Sequence, residues 1–348
     1  MRTFVLAITV VVLAGCVRPD ARMQSVDALM QRYAGNVPGA SLLVLKNGVP
    51  VVRKSYGYAD LEQGVVATTA TDYRLASVSK QFTAAAVLLL HEDGKLDLDD
   101  PIRRWLPELP DIDQPITLRQ ILSHTSGLAD YEDLMPPDAT TQISDQGVLD
   151  LLAHADTLYF EPGSAYRYSN SGYVLLGLVI ERASDMTLPA FLKARIFDKL
   201  GMTHTLMYEH DRGPEVPNRA FGYSEIDSDW TRTDQSPTSA TRGDGGIYSS
   251  IDDLAKWDAA LYDDRLLGDA SRELAFSPHV KVVDEPYEAF YGFGWRISGE
   301  TVWHSGETMG FRNVIVRWPQ RHLTVVLLSN RNDPEPYRTA LEIGAAFF

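Results

Sequence analysis

A single cysteine, Cys16, stands among 348 residues. No disulfide can close within the chain, and Cys₄ zinc sites and Cys-x-x-Cys redox pairs are excluded. Basic residues are outnumbered, 32 Lys+Arg against 47 Asp+Glu, for a formal charge of −15. That balance repels phosphate backbones, and no Lys/Arg cluster offsets it locally, so no nucleic-acid partner is expected. The sequence contains no Gly-x-Ser-x-Gly elbow and no His-Glu-x-x-His helix, which removes two common hydrolase designs. Neither a metal nor an organic cofactor is expected. No internal repeat or low-complexity tract is evident. With 45% hydrophobic and 23% charged residues, the composition is that of a globular protein of one large or two ordinary domains.

Only one apolar run is long enough to suggest export. Arg2 is followed by eleven residues without charge, Phe4 to Ala14, about half of the ~20 that a membrane-spanning helix needs. Leu13-Ala14-Gly15-Cys16 is similar to a bacterial lipobox, in which Cys16 would be lipidated and become the mature N-terminus. Residues 1–15 are then a signal peptide and 16–24 a tether to the membrane. Val17 rather than Asp follows the cysteine, which by resemblance to Gram-negative lipoproteins suggests the periplasmic face of the outer membrane. The alternative is a plain secretory leader with an incidental cysteine.

The remainder, 25–348, reads as one domain of the α+β class. Ser25 to Tyr33 has the pattern of an amphipathic helix. Two β-rich runs, Ala40–Lys46 and Val49–Tyr58, flank Asn47-Gly48 and predict a hairpin. Ser77 to His91 is apolar almost all round, the mark of a helix buried on most sides. From Leu96 to about Ala275 helical segments alternate with Pro/Gly/Asp loops; Tyr173–Ala183 and Ile251–Tyr262 are the clearest, the latter with Ser250 as cap. Short β-rich runs then return at Gly292–Ile297, Thr301–His304, Val314–Trp318 and Leu323–Leu328, before a closing helix over 335–348. Strands at both ends imply one antiparallel sheet flanked by helices and built from both termini, 25–92 with 288–348. A mostly helical part, 93–287, is inserted between them. His210 to Gly246 shows little periodicity and suits a loop that roofs a site.

Three groups of residues carry possible chemistry. Ser77-Val78-Ser79-Lys80 opens the buried helix, with the hydroxyl and the amine three residues apart and on one face. A lysine desolvated there is expected to have a lowered pKa and to take the serine proton. Tyr168-Ser169-Asn170 precedes a helix starting at Ser171 or Gly172; a phenol beside an ammonium can relay a proton, and the amide can hold both the lysine and a substrate carbonyl. Trp303-His304-Ser305-Gly306 lies on a predicted strand whose small residues let a substrate backbone approach its edge. Each taken alone also suits a cap, a packed tyrosine or an ordinary strand end.

Together, in this order, the three resemble the penicillin-recognising serine hydrolases: Ser-x-x-Lys, Tyr-x-Asn and a Lys/His-x-Gly strand. The Tyr-x-Asn element is similar to that of class C β-lactamases and their relatives among D-alanyl-D-alanine carboxypeptidases, D-amino-acid peptidases and serine esterases. Further family-like sequence is Ile116 to Leu128, Glu161-Pro162-Gly163 and Gly245-Gly246, so the resemblance runs from Ser25 to Asn330. It implies the β-lactamase/penicillin-binding-protein fold, with Ser77 as acylated nucleophile, Lys80 as base and Tyr168 as proton relay. Asn170, His304, Ser305 and Gly306 would bind substrate, and the backbone N–H groups of Ser77 and Glu307 would form the oxyanion hole. His124 and Ser126, in a family-typical segment, read as structural. His304 stands where typical β-lactamases and carboxypeptidases carry a lysine, which favours a D-amino-acid peptidase or an esterase over a true β-lactamase. Arg312 and Arg331 are candidates to supply the missing charge. A reading from another class is a non-catalytic penicillin-binding sensor of the envelope. The expected partner is a small-molecule or peptide substrate.

Overall fold

The computed structural model describes residues 21–155, 158–210, 213–283 and 287–348. The expected leader and Cys16 lie outside them. Asn47 and Gly48 both adopt positive φ, 53° and 74°, the conformation a two-residue hairpin turn requires. They join β1 (Ala40–Lys46) to β2 (Val49–Tyr56). Six further strands complete the main sheet: β3 (Val280–Val282), β4 (Ala289–Tyr291), β5 (Arg296–Ser298), β6 (Thr301–Thr308), β7 (Phe311–Trp318) and β8 (Leu323–Ser329). Their order is β3-β4-β5-β6-β7-β8-β1-β2, antiparallel throughout. The N-terminal hairpin therefore adds to an edge built by the C-terminal strands, as the distribution of β-rich runs implies.

β1 is buried along nearly its whole length because both faces of the sheet are covered. Alternate side chains point to opposite faces. Leu42 and Val44 join Val316 and Leu327 beneath α1 (Ala21–Met30) and the C-terminal helix Tyr337–Ala345, against Val26, Met30 and Ile343. Leu43 and Leu45 join Ile315 and Val326 on the other face, with Phe82, Leu254 and Trp257. Phe82 belongs to α2 (Lys80–Glu92), in which every residue from Lys80 to Leu90 is buried. Trp257 sits 4.3 Å from the Phe82 ring and donates its indole N–H to Gln81 Oε1 at 2.9 Å.

Two details differ from the division at 287/288. β3 precedes that boundary yet pairs with β4. The helix Ile251–Ala260, capped by Ser250, packs on the sheet rather than within the inserted part. Its Asp258 accepts from Arg317 Nε at 2.6 Å and from the Thr324 hydroxyl at 2.8 Å, a buried polar link that only sheet residues supply. The run Gly292–Ile297 is not one strand: β4 ends before it and β5 begins within it, with Gly294 at φ 77° in the turn. The aperiodic stretch 210–246 holds a hairpin, Tyr223–Ile226 with Asp229–Arg232. Its turn residues Asp227 and Ser228 take positive φ without a glycine, so the usual hairpin signal is missing. A three-stranded sheet, Tyr73–Arg74, Ile247–Ser249 and Leu206–Met207, ties this part to the segment leading into α2.

Asp72, directly before that sheet, is fully buried. Its Oδ2 lies 3.8 Å from His204 Nδ1, and Oδ1 has no hydrogen-bond partner among the described residues. Burial, helped by the neighbouring Asp253 carboxylate and opposed by His204 and the Asn218 N–H, pushes its pKa from 3.8 up to about 7. The native state thus holds the proton more tightly than the unfolded chain. The resulting stability is complete below the unfolded value of 3.8 and is lost as pH rises through about 7. Asp72→Asn, a mimic of the protonated form, is expected to lose less stability with rising pH, its Tm overtaking wild type by a few degrees at pH 8. Parallel Tm curves between pH 5 and 8 would remove Asp72 as the cause.

Candidate active site

Ser77 lies in a 3₁₀ turn, Ala76–Ser79, that leads into α2. Three bonds clamp the turn: the Leu75 N–H to the Ile247 carbonyl at 2.8 Å, Asn313 Nδ2 to the Arg74 carbonyl at 2.8 Å, and the Ile247 N–H to Ser79 Oγ at 3.2 Å. Within the clamp, Ala76 is held at φ 49°, a left-handed conformation that costs an L residue roughly 1–2 kcal/mol. β6 presses against the turn at Gly306, where a Cβ would stand 2.0 Å from the Leu75 carbonyl oxygen. Glycine is the residue that fits there.

Lys80, one helical turn on, is wholly buried. Its Nζ lies 3.1 Å from Ser77 Oγ, 2.8 Å from Asn170 Oδ1 and 3.0 Å from the Asp244 carbonyl oxygen. The last two atoms only accept hydrogen bonds. The three protons of an ammonium match the three oxygens; once one proton is lost, the two acceptor-only partners keep the remaining two and the lone pair faces the serine hydroxyl. The Asn170 amide is oriented unambiguously, since its Nδ2 donates to Glu132 Oε1 at 2.9 Å. Its backbone N–H donates to Asp130 Oδ2 at 2.6 Å.

Asn170 is the first residue of the helix Asn170–Ser184, and Ser169 caps it, one or two residues ahead of the start expected at Ser171 or Gly172. The Tyr168 ring centroid lies 4.9 Å from Lys80 Nζ. Behind it is His124, 4.4 Å from the Tyr168 ring, whose Nδ1 accepts from the Ser169 N–H at 3.2 Å. Burial, with Lys80 and His304 nearby, holds the His124 imidazole well below its ordinary value and so neutral. His124 therefore does more than fill space: it fixes the segment that carries the phenol. Ser126 Oγ accepts from the Leu128 N–H, a local turn contact.

His304 is almost fully buried. Its Nδ1 donates to the Ser305 carbonyl at 2.6 Å, and its Nε2 accepts from the Tyr291 hydroxyl at 2.9 Å. Burial and the nearby Arg296 guanidinium keep it well below the usual imidazole range. The strand thus presents no cation at this position. Ser305 points, by strand alternation, to the face of Trp303 and away from Lys80. The strand side of the cleft is formed instead by Glu307 and Thr308, opposite Asn170 and Glu132, with Ser77 at its floor. β5 pairs with β6 only as far as Trp303. From His304 to Thr308 no strand among the described residues pairs on that side, so the edge lies open beside the Ser77 turn. The end of the 210–246 stretch supplies Thr238, Thr241 and Asp244 to the cleft. Burial raises the Asp244 carboxyl against the pull of Lys80, and burial and Asp130 raise Glu132.

A fold of this kind, with a serine and a buried lysine at the foot of an antiparallel sheet, has known counterparts. Residues 24–347 match the Beta-lactamase family. The chain belongs to that family. It is 34% identical over 319 residues to penicillin-binding protein 4* of Bacillus subtilis (strain 168), covering 86% of this chain and 70% of that protein. The D-amino acid amidase of Ochrobactrum anthropi SV3, solved with D-phenylalanine, superposes with a TM-score of 0.81 at 25% identity, over 94% of this chain and 99% of that one. EstCE1, described as a hydrolase with promiscuous acyltransferase activity, gives 0.79 at 26% identity, over 94% and 98%. The chain is a serine hydrolase with the β-lactamase fold.

Within this Beta-lactamase family chain, the two arginines expected to replace the third-motif cation are committed elsewhere. Arg312 donates to the Thr308 and Phe311 carbonyls and pairs with Glu307. Arg331 donates to the Asp333 and Arg32 carbonyls. The cation that does line the cleft is Arg74, buried, with Nη2 on the Ser239 carbonyl at 2.9 Å. Arg74, Asp130, Glu132 and Asp244 escaped the sequence reading. Asp130 and Glu132 directly follow the family-typical segment, and that proximity was the available signal.

Gly306→Ala must displace either the strand or the turn that carries Ser77. Because a misplacement near 1 Å can cost roughly 10²-fold in rate, kcat/KM is expected to fall about a hundredfold while circular dichroism stays native. An unchanged kcat/KM would show that the close approach is not needed for turnover.

Proposed function

We propose that the chain cleaves an amide or ester through an acyl-enzyme on Ser77. The contact set of Lys80 carries this reading: Nζ lies 3.1 Å from Ser77 Oγ, and its two other partners only accept, so a deprotonated amine keeps its protons on them and faces the serine with its lone pair. Lys80 takes the Ser77 proton as Oγ attacks the substrate carbonyl. The backbone N–H groups of Ser77 and Glu307 receive the oxyanion, each worth roughly 3–4 kcal/mol in comparable enzymes. Tyr168 passes a proton to the leaving amine or alkoxide, the C–N or C–O bond breaks, and water then releases the acid from Ser77. Asn170 holds Lys80 on one side and meets the substrate carbonyl from the cleft wall. The open edge of β6 supports an extended acyl portion lying alongside it.

Substrates of the D-amino-acid amide or simple ester type fit best. A neutral His304 gives no charge with which the strand could grip a substrate carboxylate, and the carboxyl groups of Glu132 and Asp244 line the cleft. The D-amino acid amidase and EstCE1 likenesses support the same ranking above β-lactam hydrolysis. We also propose that Cys16 carries the lipid that holds the enzyme at the periplasmic face of an outer membrane.

A fluorophosphonate probe is expected to label the wild type stoichiometrically and Ser77→Ala not at all. Lys80→Arg keeps a cation that cannot deprotonate, and kcat is expected to drop at least a thousandfold; near-wild-type turnover would eliminate Lys80 as base. In a panel of a short-chain ester, a D-aminoacyl amide and a cephalosporin, the cephalosporin is expected to be slowest. Fast cephalosporin turnover would reverse the ranking, and stable acylation without release would favour a sensor. Palmitate incorporation in cells, lost in Cys16→Ser, is the expected sign of the anchor.

A further inference from the structure

A second cavity lies in the inserted part and shares no lining residue with the catalytic cleft. Its volume is about 290 Å³, near the lower end of the roughly 300–1,000 Å³ typical of ligand pockets. Leu109, Ile112, Ile116, Leu128, Leu152 and Leu158 form most of its wall. Pro101, Pro110 and Pro115 also line it, and proline offers no backbone N–H to a trapped water. Water needs two to four polar partners to settle in such a space. The cavity is therefore suited to hydrocarbon. By comparison with an apolar cavity of roughly 150 Å³ that takes a benzene ring, it has room for about ten carbon atoms.

Two charged side chains stand at this wall, Arg103 and Asp111, paired with each other. Arg103 lines the cavity, its Nη1 paired with Asp111, while its Nε is buried without a hydrogen-bond partner among the described residues. The Asp111 side chain is 84% exposed, and an ion pair so open to water contributes little. A ligand carboxylate can take the guanidinium fork from Asp111 at little cost, while its chain fills the apolar interior.

We propose that this cavity binds a medium-chain alkyl carboxylate, with the head group on Arg103 and the chain among Ile112, Leu128 and Leu152. The site is independent of Ser77 chemistry. It is tested with decanoate by isothermal titration calorimetry on protein whose Ser77 has been blocked with a fluorophosphonate. One saturable site is expected. Ala155→Phe and Ile112→Trp, two separate ways of filling the space, should each weaken decanoate at least tenfold. Arg103→Gln, a surface change that leaves the core intact, should weaken decanoate at least tenfold and decan-1-ol less than twofold. The proposal is overturned by absence of saturable binding to the blocked protein, or by binding that survives both filling variants. It is equally overturned if Arg103→Gln leaves decanoate affinity unchanged or weakens the alcohol to the same extent.

Discussion

The rest of the site depends on one buried amine. Lys80 Nζ touches the nucleophile turn through Ser77, the helix Asn170–Ser184 through Asn170, and the loop behind the cleft through Asp244. These pieces come from three distant parts of the chain, two of which are also joined by the short ladder of Tyr73–Arg74 with Ile247–Ser249. A lysine taken out of water is costly unless every donor finds a partner. The fold meets that demand with acceptors on three sides, and meeting it brings Ser77, Asn170 and the Asp244 loop together around the amine. Burial and the catalysis proposed here draw on the same contacts.

The acids around the lysine extend this logic. Asp130 and Glu132 hold the backbone and the side-chain amide of Asn170, and Asp244 contributes its carbonyl to Lys80 while its carboxyl stays buried. Burial and mutual repulsion push the Glu132 carboxyl up, and Lys80 and the Asn170 amide pull it down. The amine is thus set in a ring of groups whose charges answer one another. His124 and His304, both neutral, add no second positive charge. Together with the Tyr168, Tyr173 and Tyr291 rings they form a polarisable wall on one side of the amine.

The elements legible in the sequence were those whose signals are local. The Asn47-Gly48 turn, the apolar stretch of α2, the Ser250 cap and the β-rich runs of the C-terminal part all announce themselves by type and spacing. Ser77, Lys80, Tyr168 and Asn170 could be named because short motifs carry them, and the structure gathers them around one amine. What escaped is settled by contacts over long separations. Nothing near Asp258 signals that Arg317 and Thr324 will draw its helix onto the sheet. Nothing near Arg312 or Arg331 reveals that neighbouring carbonyls already occupy their guanidinium groups. The direction of His304 was equally hidden, because the hydroxyl that donates to its Nε2 belongs to Tyr291 on another strand. The Asp227-Ser228 turn was missed for a different reason, since its residues reach positive φ without the glycine that would have marked them.

The unpaired stretch of β6 from His304 to Thr308 has a consequence for how such an enzyme diversifies. Such an edge is a rail that, with the Ser305 carbonyl taken by His304 Nδ1, reads main chain through its remaining amides and carbonyls, and main chain is the same in every peptide. Whatever docks there is measured for pitch and handedness but not for side-chain identity. Discrimination is left to the opposite wall, where Thr238 and Thr241 sit on a segment outside the sheet. Exchanging that wall can redirect the enzyme to new acyl groups while the rail, and the chemistry at its foot, stay untouched.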